Sequence, residues 1–125
     1  MSPADPVRAI CDDLEAEHEA LDALVADLEA SRWDIPTPAE GWAVRDQIAH
    51  LASYDVAARL AVTDAVAWAQ EVGLAREERE RRQLESARRR SPRELLAWWR
   101  EAGARCSRSS VRSIAARGFP GTGRR

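Results

Sequence analysis

The hydrophobic positions near the start of the chain recur at steps of three and four residues, the spacing of one face of an α-helix. Asp5 can cap this helix, and Pro6 suits its first turn. The pattern therefore predicts a first helix of about seven turns whose apolar stripe faces a core. The members of the stripe are Val7, Ile10, Cys11, Leu14, Leu21, Leu24, Val25 and Leu28.

The next hydrophobic pattern follows a loop over residues 31–41, where Pro36 and Pro38 stiffen the backbone and Gly41 allows a turn. Trp33 and Trp42 flank the loop, and we expect them to pin it to the bundle. A second helix is predicted from Val44 to Glu71, with a bend, and Gly73 is expected to end it. Val44, Ile48 and Leu51 share one face of it; Gln47, His50 and Tyr54 share the neighbouring face.

The last part of the chain begins with a polar stretch, residues 75–90, which predicts an exposed helix held by Glu–Arg pairs. Ser91 and Glu94 form a capping box around Pro92, which predicts the start of a third helix. Its apolar anchors are Leu95, Leu96, Trp98 and Trp99; adjacent tryptophans cannot share a face, so one is expected inside and one at an edge. From Cys106 onward the periodicity weakens, and the sequence predicts disorder over 106–125.

Composition places the chain among single-domain globular proteins of 125 residues, with a fold of the all-α class. No apolar run is long enough to span a membrane, and no signal peptide is recognised. The two cysteines form no CxxC motif, so a reducing, cytoplasmic location is expected. All 19 basic residues are Arg, which is typical of a high-GC bacterial genome.

Charge is divided unevenly along the chain. Residues 1–75 carry 15 acids and 4 Arg, whereas residues 76–125 carry 6 acids and 15 Arg. Such asymmetry can indicate a nucleic-acid arm, but interleaved acids and missing aromatics favour a solvated, ion-paired helix over residues 76–101. We therefore rank RNA binding last among the functions considered.

Two histidines are the candidate metal ligands. His18 falls within the stripe of the first helix, where a satisfied core or boundary histidine is the commoner interpretation. His50 lies on the second helix just after the proline- and tryptophan-bearing loop, within PTPAEGWAVRDQIAHLASYD, residues 36–55. That segment resembles the N-terminal domain of the mycothiol-dependent maleylpyruvate isomerase family, a branch of the DinB-like metal-binding four-helix bundles. The resemblance extends over about residues 8–104, and some relatives are labelled wyosine base formation domain proteins.

The resemblance implies an up-down bundle in which His50 binds a divalent metal, usually zinc. Two further ligands would come from a Glu-x-x-x-His pair on the last helix, because residues four apart share a helix face. The metal would hold the thiolate of mycothiol, a cosubstrate. Addition of that thiolate to a conjugated double bond, rotation and elimination would isomerise cis to trans. Trp42 and Tyr54 are candidates to line the cavity, although packing is the commoner role for such residues.

The chain departs from this pattern after residue 101. No His follows His50, no Glu follows Glu101, and Ala43 replaces the usual Thr or Ser before the helix. We therefore predict a partial bundle domain over residues 1–105 that lacks the fourth helix, has weak or absent metal binding and is inactive. Residues 106–125 are interpreted as an out-of-frame tail, because a reading frame shifted near codons 102–106 can encode a continuation of the family's sequence.

The leading function is thus a truncated metal- and thiol-dependent isomerase or transferase domain acting on small molecules. The alternative is a non-catalytic helical module that binds a protein through its exposed stripe. Uncovered apolar faces on the first two helices also predict self-association. No membrane or nucleic-acid partner is expected.

Overall fold

The computed structural model describes residues 6–117, with side chains for residues 6–109. All of its regular elements are helical, which confirms the predicted all-α class. They are α1 (Pro6–Val25), a 3₁₀ helix (Ala30–Asp34), α2 (Val44–Thr63), α3 (Ala65–Val72), α4 (Arg76–Arg88) and α5 (Pro92–Arg117). None of the described helices is long and apolar enough to cross a bilayer.

The centre of the bundle lies where α2 packs against α4 and α5. Small side chains permit this close approach: Ala49 and Ala52 of α2 and Ala87 of α4 are fully buried. Leu95 and Trp99 of α5 fill the remaining space. Val25, Trp33, Ile48 and Ala102 complete the cluster, and Leu21 and Leu28 pack against it.

The predicted second helix is divided in two. At Asp64 the backbone leaves the helical region (φ −150°), and its Oδ1 accepts a hydrogen bond of 3.0 Å from the Ala67 amide. Asp64 therefore ends α2 and caps α3, which explains the bend that the sequence predicts. Gly73 ends α3, as expected.

The capping box at the start of α5 is confirmed. Ser91 Oγ accepts a hydrogen bond from the Glu94 amide, and the Glu94 carboxylate accepts one from the Ser91 amide. Trp99 is buried, while Trp98 lies at an edge with the Arg90 guanidinium 4.1 Å from its ring centre. As predicted, one of the two adjacent tryptophans lies in the core and the other lies at an edge.

Two sequence-based expectations are corrected by the structure. The apolar stripe of α1 is only partly covered: Val25 is buried, whereas Ile10, Leu14 and Leu24 are exposed. The other concerns Cys106, where disorder was expected: α5 continues to Arg117, and Cys106 is buried four residues after buried Ala102. The helical stripe therefore persists in small residues that a search for large hydrophobic side chains overlooks.

That correction covers residues 106–117 of the predicted tail. Residues 118–125 lie outside the described part of the chain. An out-of-frame origin of the tail stays a prediction, for which the coding DNA is the test.

Candidate functional site

The loop that precedes α2 is held by its own backbone. Gly41 adopts φ +77°, in the left-handed region that favours glycine. The Thr37 amide donates to the Trp42 carbonyl at 2.8 Å, and Pro36 and Ala43 form an isolated antiparallel bridge. These contacts fix the direction in which the chain enters α2.

Asp46 completes this junction from inside the helix. Its Oδ2 accepts a 2.8 Å hydrogen bond from the Ala43 amide. This bond is one half of a capping box; the other half is absent because the alanine side chain at the N-cap has no hydrogen-bond acceptor. Asp46 is buried, and its Oδ1 lies 3.8 Å from Arg88 Nε. A buried carboxylate one turn before His50 therefore orients the helix that carries the imidazole.

The His50 ring is held from three sides. Nδ1 lies 2.8 Å from Gln83 Oε1. Because an amide oxygen accepts hydrogen bonds, we assign the Nδ1–H tautomer to His50. Trp42 and Tyr54 meet the ring edge-to-face, with centroids at 5.1 Å and 4.6 Å. In this tautomer Nε2 carries the lone pair, which is the state a metal ligand requires.

His50, Trp42 and Tyr54 line one cavity of about 600 Å³. Trp42 and Tyr54 thus border this cavity and also contact the imidazole ring. The other wall comes from α3 and α4 and includes Trp68, Glu71, Arg76, Arg79, Glu80 and Gln83. The Trp42 indole N–H donates to Glu80 at 3.3 Å, which ties the loop to α4.

Arg79 brings positive charge to this cavity. Its Nε is buried and has no hydrogen-bond partner among the described residues. A guanidinium with an unused donor in an aromatic-lined cavity is suited to a carboxylate or another anion. The sequence of α4 mixes Glu and Arg, and nothing in it distinguishes Arg79 from the neighbouring arginines.

A metal ion needs several donors, of which His50 provides one. Within residues 6–109, no group of three or more His, Cys, Asp and Glu side chains is placed to hold an ion. His50 therefore fits as one ligand, while the described residues by themselves do not make a complete metal site.

The other histidine forms a separate cluster. His18 Nε2 lies 3.2 Å from Asp55 Oδ2, and the His18 ring stacks on Trp99 at 5.0 Å with an interplanar angle of 13°. Burial raises the pKa of the Asp55 carboxyl, and the neighbouring imidazole opposes that rise. Sequence reasoning assigned His18 to a core or boundary position but did not connect it with Asp55, which lies on another helix.

The exposed side of α4 is held by ion pairs, as the charge pattern predicts. Arg81 bonds to both Glu78 and Glu85, and Arg82 bonds to Glu78. The two guanidinium groups lower the pKa of the Glu78 carboxyl to about 2. These arginines are occupied within their own helix.

Comparison with known proteins extends these findings. A protein of Mycobacterium tuberculosis strain H37Rv and one of strain CDC 1551 / Oshkosh, both described as uncharacterized, are each 51% identical to this chain over 67 residues. The matched region is 54% of this chain and 26% of each relative, so the chain spans about a quarter of their length. No solved structure matches significantly.

The family model for the mycothiol maleylpyruvate isomerase N-terminal domain matches residues 14–117, which cover most of the described helices. The chain therefore belongs to the mycothiol maleylpyruvate isomerase N-terminal domain family.

Proposed function

We propose that this chain supplies one wall of a divalent-metal site used in thiol-dependent isomerisation or group transfer, and that by itself it is inactive. The observation that carries the proposal is the fixed His50 ring, whose Nδ1 is held by Gln83 and whose Nε2 remains available. Zinc is the expected ion, since imidazole is among its usual ligands.

The rest of the cavity supports a small-molecule site. Trp42 and Tyr54 supply apolar walls on either side of the imidazole. The unused Nε of Arg79 supplies a donor for an anionic group. A cavity of about 600 Å³ has the size of ligand sites in general, and its lining combines aromatic side chains with polar and charged ones.

We base the proposed inactivity on the donor set of the described residues. A catalytic zinc site needs three protein ligands and an open position, and residues 6–109 offer no such group. The family resemblance implies that the missing ligands form a Glu-x-x-x-His pair. We assign no catalytic step to this chain, and mycothiol as cosubstrate is part of the proposal.

Zinc titration of the purified chain, followed by calorimetry, tests the proposal. We expect one weak site in the wild type and its loss in His50→Ala. His18→Gln is the matched control, because it removes the other histidine and should leave zinc binding unchanged. Equal zinc affinity in the wild type and His50→Ala would exclude His50 as the ligand.

A second candidate function is a non-catalytic interaction module, because large apolar side chains are exposed on three helices. Ile10 and Leu24 of α1, Tyr54 of α2 and Val66 of α3 are all more than half exposed. Faces of this kind commonly become covered by a partner or by a second copy. Sedimentation at increasing protein concentration tests whether a second copy covers these faces. A dimer at high concentration would support this function, and a monomer without bound zinc would support neither self-association nor the metal site.

A further inference from the structure

The cavity beside His50 lies between three helices, α2, α3 and α4. Its α2 wall continues from His50 through Ser53, Tyr54, Ala57 and Ala58, which follow at the spacing of one helix face. The two alanines project little from the helix, so the space of about 600 Å³ opens beside the imidazole. A small ligand in this space therefore lies next to the His50 ring.

Arg79 borders the cavity one helical turn from the contact that fixes His50. The contacts of Asp46 with Arg88 and of His50 with Gln83 show that α2 and α4 run antiparallel. Arg79 precedes Gln83 by four residues, so the two share a face of α4 and their Cα atoms lie about 6 Å apart along the helix. A ligand bound to Arg79 therefore remains within one turn of the imidazole.

The guanidinium of Arg79 lacks a partner of its own. Its Nε is buried and has no hydrogen-bond acceptor among the residues that the structure describes. Of the two carboxylates that border the cavity, Glu80 accepts from the Trp42 indole N–H at 3.3 Å, and Glu71 is not bonded to Arg79. A buried donor without an acceptor is unfavourable, and a ligand that supplies the acceptor removes that cost. A carboxylate matches the planar donor arrangement of a guanidinium.

Aromatic side chains make up much of the remaining lining. Trp42 and Tyr54 meet the His50 ring edge-to-face. Trp68 of α3 borders the same cavity and is 40% exposed, so part of its ring is accessible. Aromatic rings pack well against other aromatic rings in stacked or edge-to-face contacts. This lining therefore favours a flat aromatic ligand over an aliphatic one.

We propose that the cavity binds a small aromatic carboxylate, with the carboxylate on Arg79 and the ring among Trp42, Tyr54 and Trp68. The inference rests on the proposed function for placing a ligand in this cavity, and it adds the chemical class of that ligand. Binding of this kind requires no metal, because Arg79 supplies the positive charge and the aromatic walls supply the contact area.

Titration of the zinc-free chain with benzoate, in the presence of a chelator, tests the proposal. Indole N–H signals of isotope-labelled protein report binding: those of Trp42 and Trp68 should shift, whereas those of buried Trp33 and Trp99 should not. Benzamide has the same ring without the charge and should bind at least about tenfold more weakly. Equal binding of the two compounds, or unchanged Trp42 and Trp68 signals at saturating benzoate solubility, would overturn the proposal.

Variants assign the charge to Arg79. Arg79→Gln should weaken benzoate binding by at least about tenfold. Arg81→Gln is the matched control, because Arg81 lies on the same helix but is bonded to Glu78 and Glu85, and benzoate binding should be unchanged. Arg79→Lys keeps the charge without the planar donor arrangement and should bind with intermediate affinity. If Arg79→Gln does not fold, Arg79→Lys and the comparison of benzoate with benzamide decide. Equal losses in Arg79→Gln and Arg81→Gln would refute the assignment.

Failure of this inference is distinguishable from failure of the proposed metal site. Zinc binding that is lost in His50→Ala, without any benzoate binding, would retain the metal site and reject the aromatic carboxylate. Benzoate binding that depends on Arg79, in a chain that binds no zinc, would support the ligand class and reject the metal site.

Discussion

His18 and His50 are both partly buried histidines on long helices, yet their partners give them different chemistry. His50 contacts the neutral amide oxygen of Gln83 and the edges of two aromatic rings. His18 contacts the carboxylate of Asp55 and stacks flat on Trp99. The amide oxygen of Gln83 contacts one ring nitrogen of His50 and leaves the other available for a metal or a substrate proton, whereas Asp55 contacts Nε2 of His18.

The two histidines also differ in the firmness of their surroundings. The α2–α4 contact beside His50 depends on close approach of small side chains, since Ala49, Ala52 and Ala87 are fully buried. The α1–α5 contact beside His18 adjoins a cavity, and Ile10 on the same helix is 67% exposed. The His50 side is therefore the more closely packed setting, which suits a ligand site.

Replacing Trp99 should have the largest effect, because this one residue supports both regions. It fills the core between α2 and α5 and provides the platform for His18. Trp99→Ala should lower the free energy of unfolding by about 3–5 kcal/mol, measured by urea titration. Trp98→Ala is the control, since Trp98 lies at an edge beside Arg90, and an equal loss there would contradict the assigned core position.

Gly103→Ala tests the position of the His18 ring directly, because a Cβ at residue 103 would lie 2.5 Å from His18 Cε1. The new methyl group would overlap the imidazole and should cost about 1–3 kcal/mol of stability, despite the higher helix propensity of alanine. In a His18→Ala background the overlap is gone, so the same substitution should become neutral or stabilising by up to about 1 kcal/mol. Thermal unfolding of all four combinations gives the coupling; additive effects would show that His18 does not occupy this position.

Asp46→Ala tests the corresponding support on the His50 side. It removes the carboxylate that caps the Ala43 amide and should cost about 1–2 kcal/mol. Asp34→Ala is the matched control, because Asp34 pairs with Arg45 from an exposed position and should cost less than about 1 kcal/mol. Chemical denaturation compares them, and a larger loss for Asp34 would reverse the assigned importance of the two carboxylates.

The sequence predicts the His50 region far better than the His18 region. Loop, helix start and histidine lie within twenty consecutive residues, so local turn and capping chemistry is enough to bring Trp42, His50 and Tyr54 together. Gln83 escapes prediction because it lies on a helix with no distinctive apolar pattern. Contacts between helices depend on the angles at which the helices pack, and local sequence patterns do not determine those angles.

The failures of prediction share this cause. Pairing His18 with Asp55 needs the register of α1 against α2, and the exposure of Ile10 and Leu24 needs the tilt of α1. The continuation of α5 past Cys106 depends on burial of small residues, which are weak hydrophobic signals. The spacing of hydrophobic residues identified the helices, but it did not show which part of each apolar face is buried by neighbouring helices.

Asp22→Asn should have the smallest effect, and that effect should depend on pH. Its bonds to Arg100 lower the pKa of the Asp22 carboxyl from an ordinary value of 3.8, so the stabilisation is present above that value and disappears as pH falls below it. Because Arg100 is half exposed, the expected loss at neutral pH is under about 1 kcal/mol and decreases with added salt. Wild type and variant should converge in acid, once the pH has fallen below the lowered pKa of Asp22 and its carboxyl is protonated in both the folded and the unfolded state. Urea titration of both proteins at neutral and at acidic pH measures the difference. A difference that is undiminished in acid, or unaffected by salt, would contradict the assigned pairing of Asp22 with Arg100.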